Sequence, residues 1–310
     1  MQVIIEFIGA YMNYYNEIKS ELINNEVYKK VKDYSKNRSD LNTYYKVGKI
    51  IIEAQGGEKR AKYGDGLIKE YSLRLTLELG KGYSERNLKN MRKFYLLIEK
   101  GHAVRTELTW THYRQLLCID DFNKIDYYCD LVIKYNLSYR QLCERIKNKE
   151  YERLSEATKN KLINNENNRI EDFIKNPILI KNSYNYESIS EKLLKQLIIE
   201  DLDNFMKELG EGFCYIENEY KIKIGDRYNY IDLLLFNYKY NCFAVIELKI
   251  TELKSEYIGQ IEKYMNYIDK NVKSINQDKT IGIIICKKDN KFIMEYVSDD
   301  RVYRTLYVLN

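Results

Sequence analysis

The sequence predicts an all-α N-terminal domain, helix-turn-helix-like, followed by an α/β domain in which helices flank a mixed central sheet. Three observations predict it. Residues 1 to 170 carry apolar and charged residues at helical spacing and contain no proline. The one proline of the chain, Pro177, follows the Asn/Glu-rich stretch 164–168, a linker pattern that puts the boundary at 170/171. Beyond Gly210 the apolar pattern changes from helical spacing to alternation, as strands require.

The expected elements run as follows. In the N-terminal half, Leu67 to Leu79 forms a helix, Gly80 to Tyr83 a tight turn, and Ser84 caps a second helix. On that second helix Arg86, Lys89, Asn90 and Lys93 share one face, and Leu88, Met91 and Tyr95 another. Helix, glycine turn and basic helix together make a candidate helix-turn-helix, with the basic face as the candidate nucleic-acid contact. An ordinary solvated basic face fits the same residues. Trp110, His112 and Tyr113 are expected to pack rather than form a site. After the linker, one amphipathic helix spans 190–209, with Leu194, Ile198, Leu202, Phe205 and Leu209 as its buried stripe. Gly210 and Gly212 end it. Strands are expected at 213–223, 228–236 and 242–250, then a helix at 255–268. Strands at 280–286 and 291–297 follow, joined by a turn at 288–290.

Composition narrows the function classes. The chain is 45% hydrophobic and 31% charged, as expected of a soluble globular protein. Its net charge of +5 is small for 310 residues, so any attraction to phosphate has to come from local patches. The six cysteines lack metal-knuckle or redox spacing and read as reduced, mostly buried thiols of a cytoplasmic protein. The N-terminus does not resemble a signal peptide, and no apolar stretch is long enough to span a bilayer.

Chemistry concentrates in the alternating strands. In Ala244-Val245-Ile246-Glu247-Leu248-Lys249, alternation places Glu247 and Lys249 on one face of an interior strand. Burying either charge without a partner is costly, so an ion pair, a metal or a solvated cleft must offset it. Asp232 interrupts the otherwise apolar 231–236 run of the preceding strand. A hairpin through 237–241 would bring Asp232 and Glu247 together. Two converging carboxylates suit a hard cation, Mg²⁺ or Mn²⁺, which keeps several waters and adds substrate phosphate oxygens. The backbone carbonyl of Leu248 is a further candidate ligand. Lys249 would orient or deprotonate the attacking water, or neutralise charge at the phosphate. Gln260 and Tyr264 share a face of the following helix and complete the candidate catalytic set. A Glu247–Lys249 ion pair, with Tyr264 in the core and Gln260 at the surface, accounts for these residues without chemistry.

The Asp232, Glu247-x-Lys249 spacing has the form of the PD-(D/E)XK nuclease site, and Gln260-x-x-x-Tyr264 that of its RecB-like members. Tyr230-Ile231-Asp232-Leu233-Leu234, Val245-Ile246-Glu247-Leu248-Lys249, Glu256-Tyr257-x-Gly259-Gln260 and Thr280-Ile281-Gly282 resemble the YhcG family of PD-(D/E)XK nucleases, in the family's order. Tyr44-x-x-x-Gly48-Lys49, the block 57–64, Gly82-Tyr83-Ser84, Met91-Arg92-x-Phe94-Tyr95 and Leu108-Thr109-Trp110-Thr111-His112-Tyr113-Arg114 resemble that family's N-terminal domain. The chain departs from the family at Asn218-Glu219, where many members carry Arg-Gln, and at Ser255, where a proline is common.

The resemblance implies a restriction-endonuclease-like fold and a metal-dependent DNA endonuclease, with duplex DNA as the expected partner. A fourth carboxylate is expected on the first helix of the fold, from Glu191 or Glu200. A homo-oligomer and restriction-modification or mobile-element partners are compatible with it. Two other readings stay open: a DNA-binding regulator or scaffold with an inactive nuclease fold, and a nuclease directed at RNA.

Overall fold

The computed structural model describes residues 14–25, 36–57 and 65–310; the Glu58–Gly64 part of the N-terminal resemblance lies outside them. Compact units divide between Asn148 and Lys149. That is earlier than the 170/171 boundary read from the sequence. The intervening segment is helical, as expected, but packs with the second unit. Arg153 forms a buried pair with Glu208, and the Tyr240 hydroxyl donates to the Asn168 carbonyl at 3.2 Å.

Every regular element among the described residues of the first unit is a helix. The unit comprises α1 (14–25), α2 (Lys36–Ala54), α3 (Asp65–Leu79), α4 (Glu85–Glu99), α5 (Trp110–Leu116), α6 (Phe122–Tyr135) and α7 (Tyr139–Lys147). The Ser84 side chain accepts the Asn87 N–H, which caps α4 as predicted. Leu88, Met91, Phe94 and Leu97 are buried along α4. Gly48 explains how closely α2 and α4 approach: a Cβ there would stand 2.2 Å from the Met91 carbonyl oxygen. Trp110, His112 and Tyr113 pack, as expected. The Trp110 indole lies 4.6 Å from the Tyr44 ring, and His112 Nδ1 accepts the Thr109 N–H. Burial lowers the His112 pKa.

The second unit holds α8 (Glu156–Ile163), α9 (Glu191–Glu200), α10 (Leu202–Leu209), α11 (Ser255–Asn271) and α12 (Lys291–Glu295). Its strands are β1 (Ile178–Ile180), β2 (Phe213–Ile224), β3 (Arg227–Asn237), β4 (Cys242–Glu252), β5 (Asp278–Lys288) and β6 (Val302–Leu309). They form one mixed sheet in the order β1-β6-β5-β4-β3-β2. Antiparallel pairs join β2, β3 and β4, and parallel pairs join β4, β5, β6 and β1. One face, with Ala244, Ile246 and Leu248, packs on α9 and α10; the other, with Val245 and Ile284, packs on α11. The alternation read along β4 is therefore the one observed.

Three expectations change. The helix read as continuous over 190–209 breaks at Asp201, whose ψ of 50° ends α9. The break redirects α10, which carries the buried Glu208. Residues 291–297 begin with the short helix α12 rather than a strand, and the last strand is β6, parallel to β5. A tight turn joins only antiparallel strands, so a parallel neighbour needs a crossover, which the α12 segment supplies. The cysteines are unpaired; Cys129, Cys242 and Cys286 are buried, and Cys118 and Cys214 are exposed.

Candidate active site

The site forms where β3 separates from β4. Their ladder ends at Leu233↔Ile246, so the next step along the two strands sets Asp232 opposite Glu247. Beyond it the Leu248 N–H donates at 2.9 Å to Asp232 Oδ2, a carboxylate in place of a ladder carbonyl. This one bond ties the two acid-bearing strands together at the point of separation.

Glu247 is almost wholly buried, at 1% exposure. Its Oε2 accepts Lys249 Nζ and Gln260 Nε2, each at 3.2 Å. Its Oε1 is buried and has no hydrogen-bond partner. Burial pushes the Glu247 carboxyl up to about 7, with the Asp232 charge adding to the rise and Lys249 opposing it. Burial works against the Lys249 ammonium, but Glu247, Glu191 and Asp232 outweigh it and raise its pKa. Lys249 therefore stands as a cation at neutral pH. Gln260 also donates to the Tyr264 hydroxyl at 3.1 Å, so both helix residues reach the acid cluster.

The structure thus brings Asp232, Glu247, Lys249, Gln260 and Tyr264 into one linked group. Of the two fourth-carboxylate candidates, Glu191 lies 4.0 Å from Lys249 Nζ, whereas Glu200 is exposed and accepts from Gln196. Arg86, Lys89, Asn90 and Lys93 stand along α4 in the other unit. Arg86 and Lys93 are exposed, Lys89 pairs with Glu85 at 2.8 Å, and Lys93 donates to the Leu117 carbonyl at 3.4 Å.

Sequence reading missed Lys195 on α9. Its Nζ lies 2.8 Å from Asp232 Oδ1 and 3.2 Å from Glu219 Oε1. Burial opposes its charge, but the two carboxylates prevail and raise its pKa. The available signal was its position one turn after Glu191. Also missed was one face of the β2–β3 hairpin. The register pairs Lys221 with Tyr230 and Lys223 with Tyr228, and all four are exposed. Lys221 Nζ lies 4.0 Å from the centre of the Tyr228 ring. Alternation on both sides of the Gly225-Asp226 turn would have found that face.

The residues present fit a divalent ion. The described residues contain no grouped trio of His, Cys, Asp or Glu, so a closed protein cage is not the arrangement on offer. A buried carboxylate oxygen without a partner, beside a second carboxylate, is instead a part-built oxygen site of the kind that leaves room for water and substrate.

Family models match both parts of the chain. Residues 171–307 match the YhcG PDDEXK nuclease domain, and residues 18–153 match the DUF1016 N-terminal domain. A curated relative from Escherichia coli (strain K12), "Putative nuclease YhcG", is 27% identical, over 79% of this chain and 76% of its own length. Two solved structures are also similar, a repair endonuclease from Pyrococcus abyssi and an EndoMS–dsDNA complex. They are 20% and 17% identical with TM-scores of 0.29 and 0.30, each over 40% of this chain and 48%, about half, of the solved chain. The chain belongs to the YhcG-like family, with a DUF1016-type helical domain ahead of a PD-(D/E)XK nuclease domain.

Proposed function

We propose that the protein is a metal-dependent DNA endonuclease that hydrolyses phosphodiester bonds at the Asp232–Glu247 site. The observation that carries this reading is Glu247: a buried carboxylate with one oxygen fixed by Lys249 and Gln260 and the other left without a partner. Nothing in the packing uses that free oxygen, and leaving it so is costly unless a ligand completes it.

Asp232, Glu247 and the Leu248 carbonyl would hold Mg²⁺ or Mn²⁺. When bound, such an ion activates water and offsets charge developing on the phosphate. The chain's own residues do the rest. Gln260 fixes the rotamer of Glu247. Lys249, held as an ammonium, stabilises negative charge at the phosphate rather than taking a proton from water. Tyr264 supports Gln260. The exposed Lys221, Lys223, Tyr228 and Tyr230 face gives a substrate strand phosphate contacts and ring surfaces on the same strand as Asp232. The basic face of α4, with Arg86, Lys89, Asn90 and Lys93, is proposed to contact DNA as part of a helix-turn-helix module. The unpaired cysteines suit the reducing cytoplasm.

The test is direct. Purified protein is incubated with supercoiled plasmid and with single-stranded DNA, with Mg²⁺ or Mn²⁺, beside Glu247→Ala. Cleavage by the wild type that the variant loses is the expected result. No cleavage by the wild type overturns the reading in favour of a DNA-binding scaffold, and equal cleavage by both overturns the assignment of the chemistry to Glu247.

A further inference from the structure

Each acid at the site has one oxygen committed to a lysine. Glu247 Oε2 takes Lys249, and Asp232 Oδ1 takes Lys195. The other oxygens are left for the centre: Glu247 Oε1 has no partner, and Asp232 Oδ2 accepts a single backbone N–H and keeps a second lone pair. Lys195 is well enclosed, at 14% side-chain exposure, and Glu219 holds it from its other side. Glu219 adopts a left-handed backbone, φ 54°, within β2. A non-glycine residue in that region is uncommon and carries a backbone cost.

Sites that use two ions hold them roughly 3.5–4 Å apart on either side of the reacting phosphate. A carboxylate that gives each ion its own oxygen needs both oxygens available. Here Lys195 already occupies one of them. An ammonium also supplies positive charge without needing a full shell of oxygen ligands.

We propose that Lys195 is a built-in second cation, which occupies the outer side of Asp232 and restricts this site to one divalent ion. The inference rests on the metal-dependent reading above. Lys195 is a positioning residue in it: it fixes Asp232 Oδ1 and turns Oδ2 toward the ion. Without Lys195, Asp232 Oδ1 and Glu219 Oε1 become a pair of free carboxylate oxygens, the donor set for another ion.

The experiment counts Mn²⁺ bound to the full chain in the absence of DNA, by electron paramagnetic resonance of the free ion. Wild type, Lys195→Met, Lys195→Arg and Glu247→Gln are compared. One Mn²⁺ per chain is expected for the wild type and for Lys195→Arg. Two are expected for Lys195→Met, with the line broadening of neighbouring Mn²⁺ ions. Lys195→Gln serves the same purpose if the methionine variant does not fold. Two ions on the wild type, or one on Lys195→Met with unchanged affinity, would overturn the inference while the metal-dependent reading stands. A wild type that binds no ion, or one that Glu247→Gln binds equally well, would overturn the metal-dependent reading and this inference with it.

Discussion

Glu208 and Glu247 are carboxylates buried in the same unit, at 6% and 1% exposure, and the fold treats them in opposite ways. Both Glu208 oxygens are occupied. Arg153 engages the two of them in a fork, and the Leu179 N–H donates to Oε2 at 2.9 Å. Arg153 in turn donates to the Pro177 carbonyl, so the pair fastens the 149–177 segment to α10. Glu247 has a lysine and a glutamine on one oxygen and nothing on the other. Glu208 is paired at both oxygens, as a buried charge that serves structure can be; Glu247 is half-paired beside a second carboxylate, and that combination makes it a candidate ligand point.

The sharpest break of this contrast is Glu247→Gln. Cleavage should fall by about 10³-fold or more, since the charge that would hold the ion is gone. Stability should move the other way. The Glu247 carboxyl sits at about 7 in the fold against an ordinary 4.5, so the folded state holds its proton more tightly than the unfolded chain does. That contribution is full below pH 4.5 and is lost as pH rises through 7. Ion-free wild type is therefore penalised at pH 8, and the glutamine variant escapes the penalty. Urea unfolding should show the variant more stable at pH 8, by on the order of 1–3 kcal/mol, and unchanged near pH 4. A variant less stable at both pH values would make Glu247 a structural residue like Glu208.

Glu208→Ala tests the other side. It removes the carboxylate that neutralises the buried Arg153, which keeps its bond to the Pro177 carbonyl, and should cost about 3–5 kcal/mol in urea unfolding. A loss below about 1 kcal/mol would mean that full pairing is not what distinguishes the two sites. Gln260→Ala is smaller still. It removes the bond that orients Glu247 without removing the charge, so cleavage should drop roughly 10–100-fold. Raising Mn²⁺ should recover much of that loss, and equal loss at every Mn²⁺ concentration would argue against a positioning role.

How much of this was legible in the sequence follows from how local each cause is. The Asp232–Glu247–Lys249 group could be read because alternation on a strand fixes which side chains share a face. Gln260 and Tyr264 could be read because helical spacing does the same. The break at Asp201 could not, because the apolar stripe continues across it, with Leu194 and Leu197 before and Phe205 and Leu209 after. The identity of the last strand could not either: parallel pairing of β6 with β5 is a long-range choice that neither segment encodes alone. Lys195 escaped for a related reason. It reaches Asp232 from an element that packs on the sheet from elsewhere, and no pattern within α9 names its partner.

The first unit offers the weakest form of the contrast, since Arg86, Lys89 and Lys93 on α4 keep their charges in reach of solvent and no burial cost at these three calls for a ligand. Lys89 already pairs with Glu85 one turn away, an exposed i,i+4 contact that contributes little to folding. The opposite side of α4 is core, through Leu88, Met91, Phe94 and Leu97. Lys89→Ala with Lys93→Ala should therefore leave stability within about 0.5 kcal/mol of wild type, so that binding can be read without a folding artefact. If both lysines meet phosphates, the slope of log affinity against log salt should fall by about 1.8, at roughly 0.9 per phosphate contact. Affinity for duplex DNA should weaken by a similar factor for unrelated sequences, because phosphate contacts carry no base information. An unchanged slope in a gel-shift series across salt would make this face a solvated surface. DNA binding would then rest on the β2–β3 hairpin and the metal site alone.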